Sequence, residues 1–293
     1  MQNKILMGAK SKMSKYQALI IGAGGQGSEA DQQGNGNSNK IISFAHAFRE
    51  HPGFHIEGIT DKSLIKADIA RKAWDIKWWG HGENSYKMFF RENARNDKID
   101  IAVVSTPDDT HYKILKQLAE YPLKLVICEK PICTDLQQAG EIVELYKAKG
   151  IALMVNYTRR FLPYYENLKR RYEDGEFGKL LHYEAFFNRG ILHTGSHMVD
   201  FLTWFFDFEL LDGLELNEIN SDYRIWQVDL FFEKYHWREE RIGFQDVWPY
   251  YDKTHWHVVS NAFEYLEGNE PLKCSGEDAL KSLEICFELM EGK

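Results

Sequence analysis

Between residues 18 and 155, short apolar runs alternate with longer stretches of helical period, and this alternation restricts the fold more than any other feature of the chain. The runs 18–21, 55–60, 99–105, 125–128 and 151–155 are short and rich in β-branched residues, so they read as buried strands. The stretches 41–50, 63–74, 110–120 and 136–149 read as the helices between them. Strands separated by helices pair in parallel, because a parallel neighbour is reached only through a crossover connection. The expected fold class is therefore α/β, with a doubly wound parallel sheet in the N-terminal half.

Beyond residue 156 the pattern changes. A helix is expected over 161–172, a strand over 180–187, an apolar helix over 196–206, mixed strand-like residues and charges over 225–245, and helical segments over 262–266 and 279–290. This mixture predicts an α+β domain on a mainly antiparallel sheet. We therefore expect residues 1–155 to form one domain and 156–293 a second, the latter serving substrate binding and oligomerisation.

The first strand runs directly into Gly22-Ala23-Gly24-Gly25-Gln26-Gly27, a GxGxxG turn. Such glycines have separate tasks: Gly22 permits the tight turn, Gly24 lets a pyrophosphate approach backbone N–H groups, and Gly27 allows the next segment to pack closely. The second strand ends at Asp61, where a carboxylate can accept both hydroxyls of an adenosine ribose. Together these predict a dinucleotide site in a Rossmann domain, with Gly22, Gly24, Gly25, Gln26, Gly27, Asp61 and Lys62 at the cofactor. Asp61 favours NAD because a carboxylate repels a phosphate on that ribose, whereas the adjacent Lys62 keeps NADP possible. From Gly27 to Asp61 is 34 residues, longer than the roughly 20 of the usual fingerprint. The polar stretch 28–39 accounts for the excess as an insertion loop, either a flap over the pyrophosphate or an inert surface addition.

Bulk properties narrow the partners. A net charge of -8 disfavours a polyanion, so no nucleic acid partner is expected. No apolar run approaches the roughly 20 residues of a membrane helix, so no membrane partner is expected either. Cys128, Cys133, Cys274 and Cys286 form no CxxC pair, which suits free thiols in a reducing cytoplasm. The first fifteen residues carry Lys4, Lys10, Lys12 and Lys15 without a continuous apolar stretch, and read as an untidy leader rather than a secretory signal.

Taken in order, the glycine turn, Asp61, Ser105-Thr106-Pro107 with His111, Glu129-Lys130-Pro131, the segment 157–161, and Gly195-Ser196-His197 with Asp200 resemble the glucose-fructose oxidoreductase, inositol dehydrogenase and rhizopine catabolism family, Gfo/Idh/MocA. The resemblance implies that Lys130 sits between the nicotinamide ribose and the reacting substrate carbon, with Glu129 beside it at the cofactor. It implies that Ser105, Thr106 and Pro107 run past the cofactor, with His111 opening the next helix near that turn in a packing or capping role. His197 matches the family's general acid or base, a role suited to an imidazole that titrates near neutral pH. The family's aspartate four residues earlier is replaced by His193, which removes a carboxylate from the pocket and leaves the substrate open; His193 stands with Lys130 and His197 among the candidate catalytic and substrate-binding residues. Tyr157, Arg159 and Arg160 resemble an aromatic-arginine segment beside the nicotinamide, where an arginine can grip an anionic substrate group or stand as a solvated helix-start charge. The aromatic cluster Trp226, Phe231, Phe232, Tyr235, Trp237 and Trp248 falls where the family has its open sheet, pointing to a homodimer or homotetramer beside ordinary core packing.

The function these readings imply is an NAD(P)-dependent oxidoreductase that moves hydride between nicotinamide and a secondary alcohol or ketone of a sugar, cyclitol or sugar nucleotide. A catalytically inactive cofactor- or sugar-sensing regulator of the same fold is the alternative, and reduction of an imine or linear tetrapyrrole is a third. His193 and His197, at i and i+4, also invite a metal reading. That reading needs a third ligand, for which Asp200 or His182 are the candidates, and no metal is the expectation.

Overall fold

The computed structural model describes residues 15–32, 39–92, 99–206, 217–220, 225–242 and 251–291. The lysine-bearing leader up to residue 14, positions 33–38 of the insertion, Trp248, and residues 243–245 of the strand-like segment lie outside these.

Six strands form the first sheet: β1 (Tyr16–Ile21), β2 (Phe54–Asp61), β3 (Trp78–His81), β4 (Ile101–Val104), β5 (Leu125–Glu129) and β6 (Ala152–Asn156). Their order is β3-β2-β1-β4-β5-β6, and every pairing is parallel. The order reverses direction between β1 and β4, which opens a crevice at the carboxyl ends of those strands, where ligands of such sheets bind. The crossovers carry α1 (Phe44–Glu50), α2 (Leu64–Trp74), α3 (Ser85–Glu92), α4 (His111–Leu118) and α5 (Leu136–Lys149). Ala18, Leu19 and Ile20 of β1 and Leu125 to Cys128 of β5 have no solvent exposure. Burial on both faces is the reason these strands read as unbroken apolar runs.

Helix starts follow local chemistry. Ser43, Ser63 and Asp135 accept hydrogen bonds from backbone N–H groups of the first turns of α1, α2 and α5, each of which would otherwise lack a partner. The described part of the insertion is anchored by the same means. Asp31, 1% exposed, accepts from the N–H groups of Ile42 and Ser43 and from the Ser43 hydroxyl, and meets His46 Nδ1 at 3.1 Å.

The second sheet has the order β10-β9-β7-β8, built from β7 (Leu180–Phe187), β8 (Asn217–Glu218), β9 (Ile225–Phe232) and β10 (His236–Ile242). β9 is antiparallel to both β7 and β10, and the short β8 runs parallel to β7. α6 (Pro163–Glu173) and α7 (Ser196–Phe205) cover one face, where Trp226, Val228, Leu230 and Trp237 pack with Phe201 and Phe205 in a second core. Of the aromatic cluster, Trp226, Phe232 and Trp237 are thus core residues, Tyr235 stacks on Phe177, and Phe231 lies on the other face between His182 and His236.

The last two helices, α8 (Thr254–Leu266) and α9 (Gly276–Met290), return toward the first sheet. Val258, Val259, Ala262, Ala279 and Leu283 pack into the first core, whereas Ile285 and Cys286 pack into the second. α9 therefore fastens the two cores together, each fully buried apolar side chain contributing about 1.5–3 kcal/mol. All four cysteines are free and buried, and burial pushes the Cys133 thiol up to about 12.

Candidate active site

One cleft of about 970 Å³ runs across the carboxyl ends of the first sheet to the face of the second domain. Gly22, Gly24, Gly25, Gln26, Asp61, Lys62, Ser105, Thr106, Pro107, Glu129, Lys130, Arg159, His193 and His197 all line it. Residues far apart in sequence thus share one space because the strand ends on which most of them sit point the same way.

At the β1–β2 side, the glycines fit a dinucleotide for steric reasons. Gly22 has φ +101°, and a Cβ there would lie 2.2 Å from the Ser105 carbonyl oxygen. A Cβ on Gly27, which packs beneath the turn, would lie 2.0 Å from the Gly22 oxygen. No atom stands within 4 Å of a Cβ built on Gly25, and the nearest to one on Gly24 is Lys66 Nζ at 3.4 Å. The turn is therefore tight against the sheet and open toward the cleft, the shape a close-approaching phosphate needs. Asp61 closes this end: its two carboxylate oxygens accept from Ala23 N–H and Ser63 N–H, each at 2.8 Å. Each oxygen keeps further acceptor capacity for ribose hydroxyls. Lys66 Nζ reaches Glu29 at 3.2 Å across the start of the turn.

At the other end, Lys130 comes directly after β5, and its Nζ donates to the His193 carbonyl oxygen at 2.9 Å. His193 stands in a five-residue π-helical turn, Ile191–Gly195, and His197 in the first turn of α7. The edge of Tyr157 supports His197 with ring centroids 5.9 Å apart. Arg159 lies 3.8 Å over the Trp226 ring and forms a two-pronged pair with Glu239, at 2.7 and 3.3 Å. Burial opposes the Arg159 charge, but Glu239 and the Tyr165 hydroxyl beside it raise the pKa above the ordinary value.

Apart from Gly27, three of the residues expected at the site do not line the cleft. His111, 1% exposed, lies between the β4 and β5 loops with Nδ1 2.8 Å from the Pro131 carbonyl oxygen and Nε2 2.9 Å from the Thr106 carbonyl oxygen. Tyr157 is buried behind His197. Arg160 is buried in a pair with Asp200, Nε lying 3.1 Å from both carboxylate oxygens and Nη2 2.9 Å from Oδ1. That pair also occupies the first candidate for a third metal ligand, while His182, the second, lies exposed on β7 beside Glu184. Among the described residues no group of three or more His, Cys, Asp or Glu is arranged to hold a metal ion.

Several lining residues carry no signature that sequence reasoning could use. Ser85 and Tyr86 come from α3, whose apolar residues Tyr86, Phe89 and Phe90 do have the i, i+3, i+4 spacing of a helix face. Asn156, Thr158, Thr194 and Trp226 flank the recognised residues. Thr254 and His255 arrive from α8, more than a hundred residues from any motif in the first domain, so only the tertiary fold brings them in.

A parallel sheet with a topological switch, a glycine turn and an acidic residue ending β2 defines a dinucleotide-binding α/β protein. The profile of the Gfo/Idh/MocA family, described as an oxidoreductase family with an NAD-binding Rossmann fold, matches residues 17–157. Through those residues the chain is similar to the Gfo/Idh/MocA oxidoreductase family. It is 28% identical over 192 residues to scyllo-inositol 2-dehydrogenase (NAD(+)) of Bacillus subtilis, covering 63% of this chain and 54% of that protein. The chain thus spans about half the length, or less, of the curated relatives it matches. Its fold is similar to a probable dehydrogenase from Thermotoga maritima, with TM-score 0.72 at 15% identity over 94% of this chain and 97% of that one. It is also similar to the WlbA dehydrogenase from Bordetella pertussis in complex with NADH and UDP-GlcNAcA, with TM-score 0.69 at 17% identity over 92% and 93%.

Proposed function

We propose that this chain is an NAD-dependent dehydrogenase or reductase acting on a secondary alcohol or ketone of a sugar, cyclitol or sugar nucleotide. The observation that carries this reading is one continuous cleft with the glycine turn and Asp61 at one end and Lys130, His193 and His197 at the other. When bound, nicotinamide supplies the hydride acceptor or donor. Lys130 is the group that hydrogen-bonds the substrate oxygen and stabilises the negative charge it develops. His197 exchanges the hydroxyl proton, and His193, on the same wall, contacts the substrate in place of a carboxylate. Arg159 contributes a rigid donor surface, since Glu239 already balances its charge. Asp61 supports NAD over NADP, and Lys62 in the same lining leaves room for the phosphorylated form. The division near residue 156 belongs to the same reading, with α8 and the first half of α9 returning to the cofactor domain.

The test is reduction of NAD or NADP, monitored by absorbance, with a panel of inositols, free sugars, uronates and sugar nucleotides. Turnover of at least one class is expected. Cofactor binding with no turnover across the panel would favour the sensor reading instead.

We further infer a homodimer or homotetramer built on the outer face of the second sheet, where Phe231 stacks with His236 at 4.4 Å and with His182 at 5.8 Å. Light scattering should give a mass that is a multiple of the chain's 34.3 kDa; a strictly monomeric mass at micromolar concentration would refute it.

A further inference from the structure

A buried imidazole stands at the nicotinamide end of the cleft without a stated task. His255, near the start of α8, is 2% exposed and lines the cleft. Its Nε2 is buried with no hydrogen-bond partner among the described residues. Its nearest ionic neighbour is Glu129 Oε1, 3.8 Å away and beyond hydrogen-bond reach. The rest of the ring is fixed: Nδ1 faces the Thr254 hydroxyl at 3.2 Å, and Phe44 meets the ring edge-on at 4.6 Å. Glu129 is held as well, because Asn156 Nδ2 donates to the same Oε1 at 2.8 Å. A buried polar nitrogen left unpaired costs free energy, so a fixed one on a residue that lines a ligand cleft points to a group on the ligand.

The position of the pair within the sheet identifies that group. A dinucleotide across the switch between β1 and β4 lays its adenosine half toward β2, where Asp61 stands, and its nicotinamide half toward β5 and β6. Glu129 ends β5, Asn156 ends β6, and His255 reaches them from α8 on the side packed by Phe44 of α1. His193 and His197 belong instead to the second domain's wall. The chemical complement of a carboxylate acceptor beside an imidazole N–H donor is one planar group that carries both an N–H and a C=O.

We propose that Glu129 and His255 form a clamp for the carboxamide of nicotinamide, the Glu129 carboxylate accepting from its NH2 and His255 Nε2–H donating to its carbonyl. The Thr254 hydroxyl, by donating to Nδ1, sets the tautomer with the proton on Nε2. The clamp fixes rotation of the nicotinamide ring, and so which ring position faces Lys130. The inference rests on the cofactor reading above, and its test separates the two.

Affinities for NAD and for ADP-ribose, which lacks the nicotinamide, are to be measured by calorimetry without substrate on the unaltered chain and on His255→Phe. The phenyl ring keeps an aromatic side chain against Phe44 and removes both ring nitrogens, with the Thr254 contact, at the cost of one extra ring atom; ADP-ribose binding reports whether that enlargement disturbs the rest of the cleft. We expect the Kd for NAD to rise about tenfold, as loss of one hydrogen bond to a buried partner implies, and the Kd for ADP-ribose to stay unchanged. Equal weakening of both ligands, or no change for NAD, would overturn the clamp. If ADP-ribose fails to bind even the unaltered chain, the dinucleotide reading itself falls. A second measurement needs no variant. The acetylpyridine analogue of NAD keeps the carbonyl but lacks the amide N–H, so it should bind the unaltered chain several-fold more weakly than NAD, and equal affinity would count against Glu129 as the acceptor.

Discussion

Replacing Lys130 with alanine should lower kcat by roughly 10²–10³ or more, the loss seen when one donor aimed at a developing oxyanion is removed. NAD should still bind, because the glycine turn and Asp61 hold the other end of the dinucleotide on separate strands. The fold should tolerate the change: Lys130 is half-buried in a cleft wall, and truncation releases the His193 carbonyl to water rather than to a dry core. Steady-state rates and cofactor binding on the same preparation check both halves. Wild-type turnover would sink the assignment of Lys130, and loss of NAD binding would make it a cofactor residue only. His193 adds a second consequence: because its carbonyl accepts from Lys130, the π-helical turn and the end of β5 are tied, so the ammonium is aimed by the second domain as well as by its own strand.

The largest effect on stability is expected at Asp200. Asp200→Ala should cost about 3–5 kcal/mol, the penalty for removing one partner of a buried ion pair and leaving the other charge uncompensated. Arg160 is 3% exposed, and after the change its remaining carboxylate would be Asp278 at 3.7 Å. The Ser282 hydroxyl on α9 would also lose its 2.9 Å acceptor and keep only the Asp278 carbonyl at 3.4 Å, so the link among α7, α9 and the segment 158–161 weakens at once. Urea denaturation monitored by circular dichroism measures this; a change below about 1 kcal/mol would show that water or rearrangement rescues Arg160. Asp200 does not line the cleft, so activity per folded molecule should fall less than with Lys130→Ala.

Much of the first domain can be read from the chain because its signals are local. Five of its six strands are short apolar runs between helical stretches, and the glycine turn continues β1 without interruption. β3 is not legible: Trp78, Trp79 and Gly80 are only half-buried at the sheet's edge, so the run has neither alternation nor continuous apolarity. In the second domain the strand 180–187 and the helix ending at Met290 are visible as periods, but α8 extends back to Thr254, a start with no side-chain cap to announce it.

The sequence by itself determined the parallel sheet, the dinucleotide turn with its acidic partner, and the cleft positions of Lys130, Arg159, His193 and His197. The sheet and the turn come from hydrophobic period and from steric demands on glycine, whereas the four side chains come from the ordered resemblance to the Gfo/Idh/MocA motifs. Only the tertiary structure decided that Arg160 turns away to Asp200 while Arg159 faces the cleft, that His111 lies between two loops, and that His255 reaches Glu129. The physical reason is that burial and pairing depend on which distant segment arrives alongside. Adjacent arginines look alike in sequence, and a histidine in an apolar helix gives no sign of the carboxylate 126 positions earlier that the fold brings within 3.8 Å.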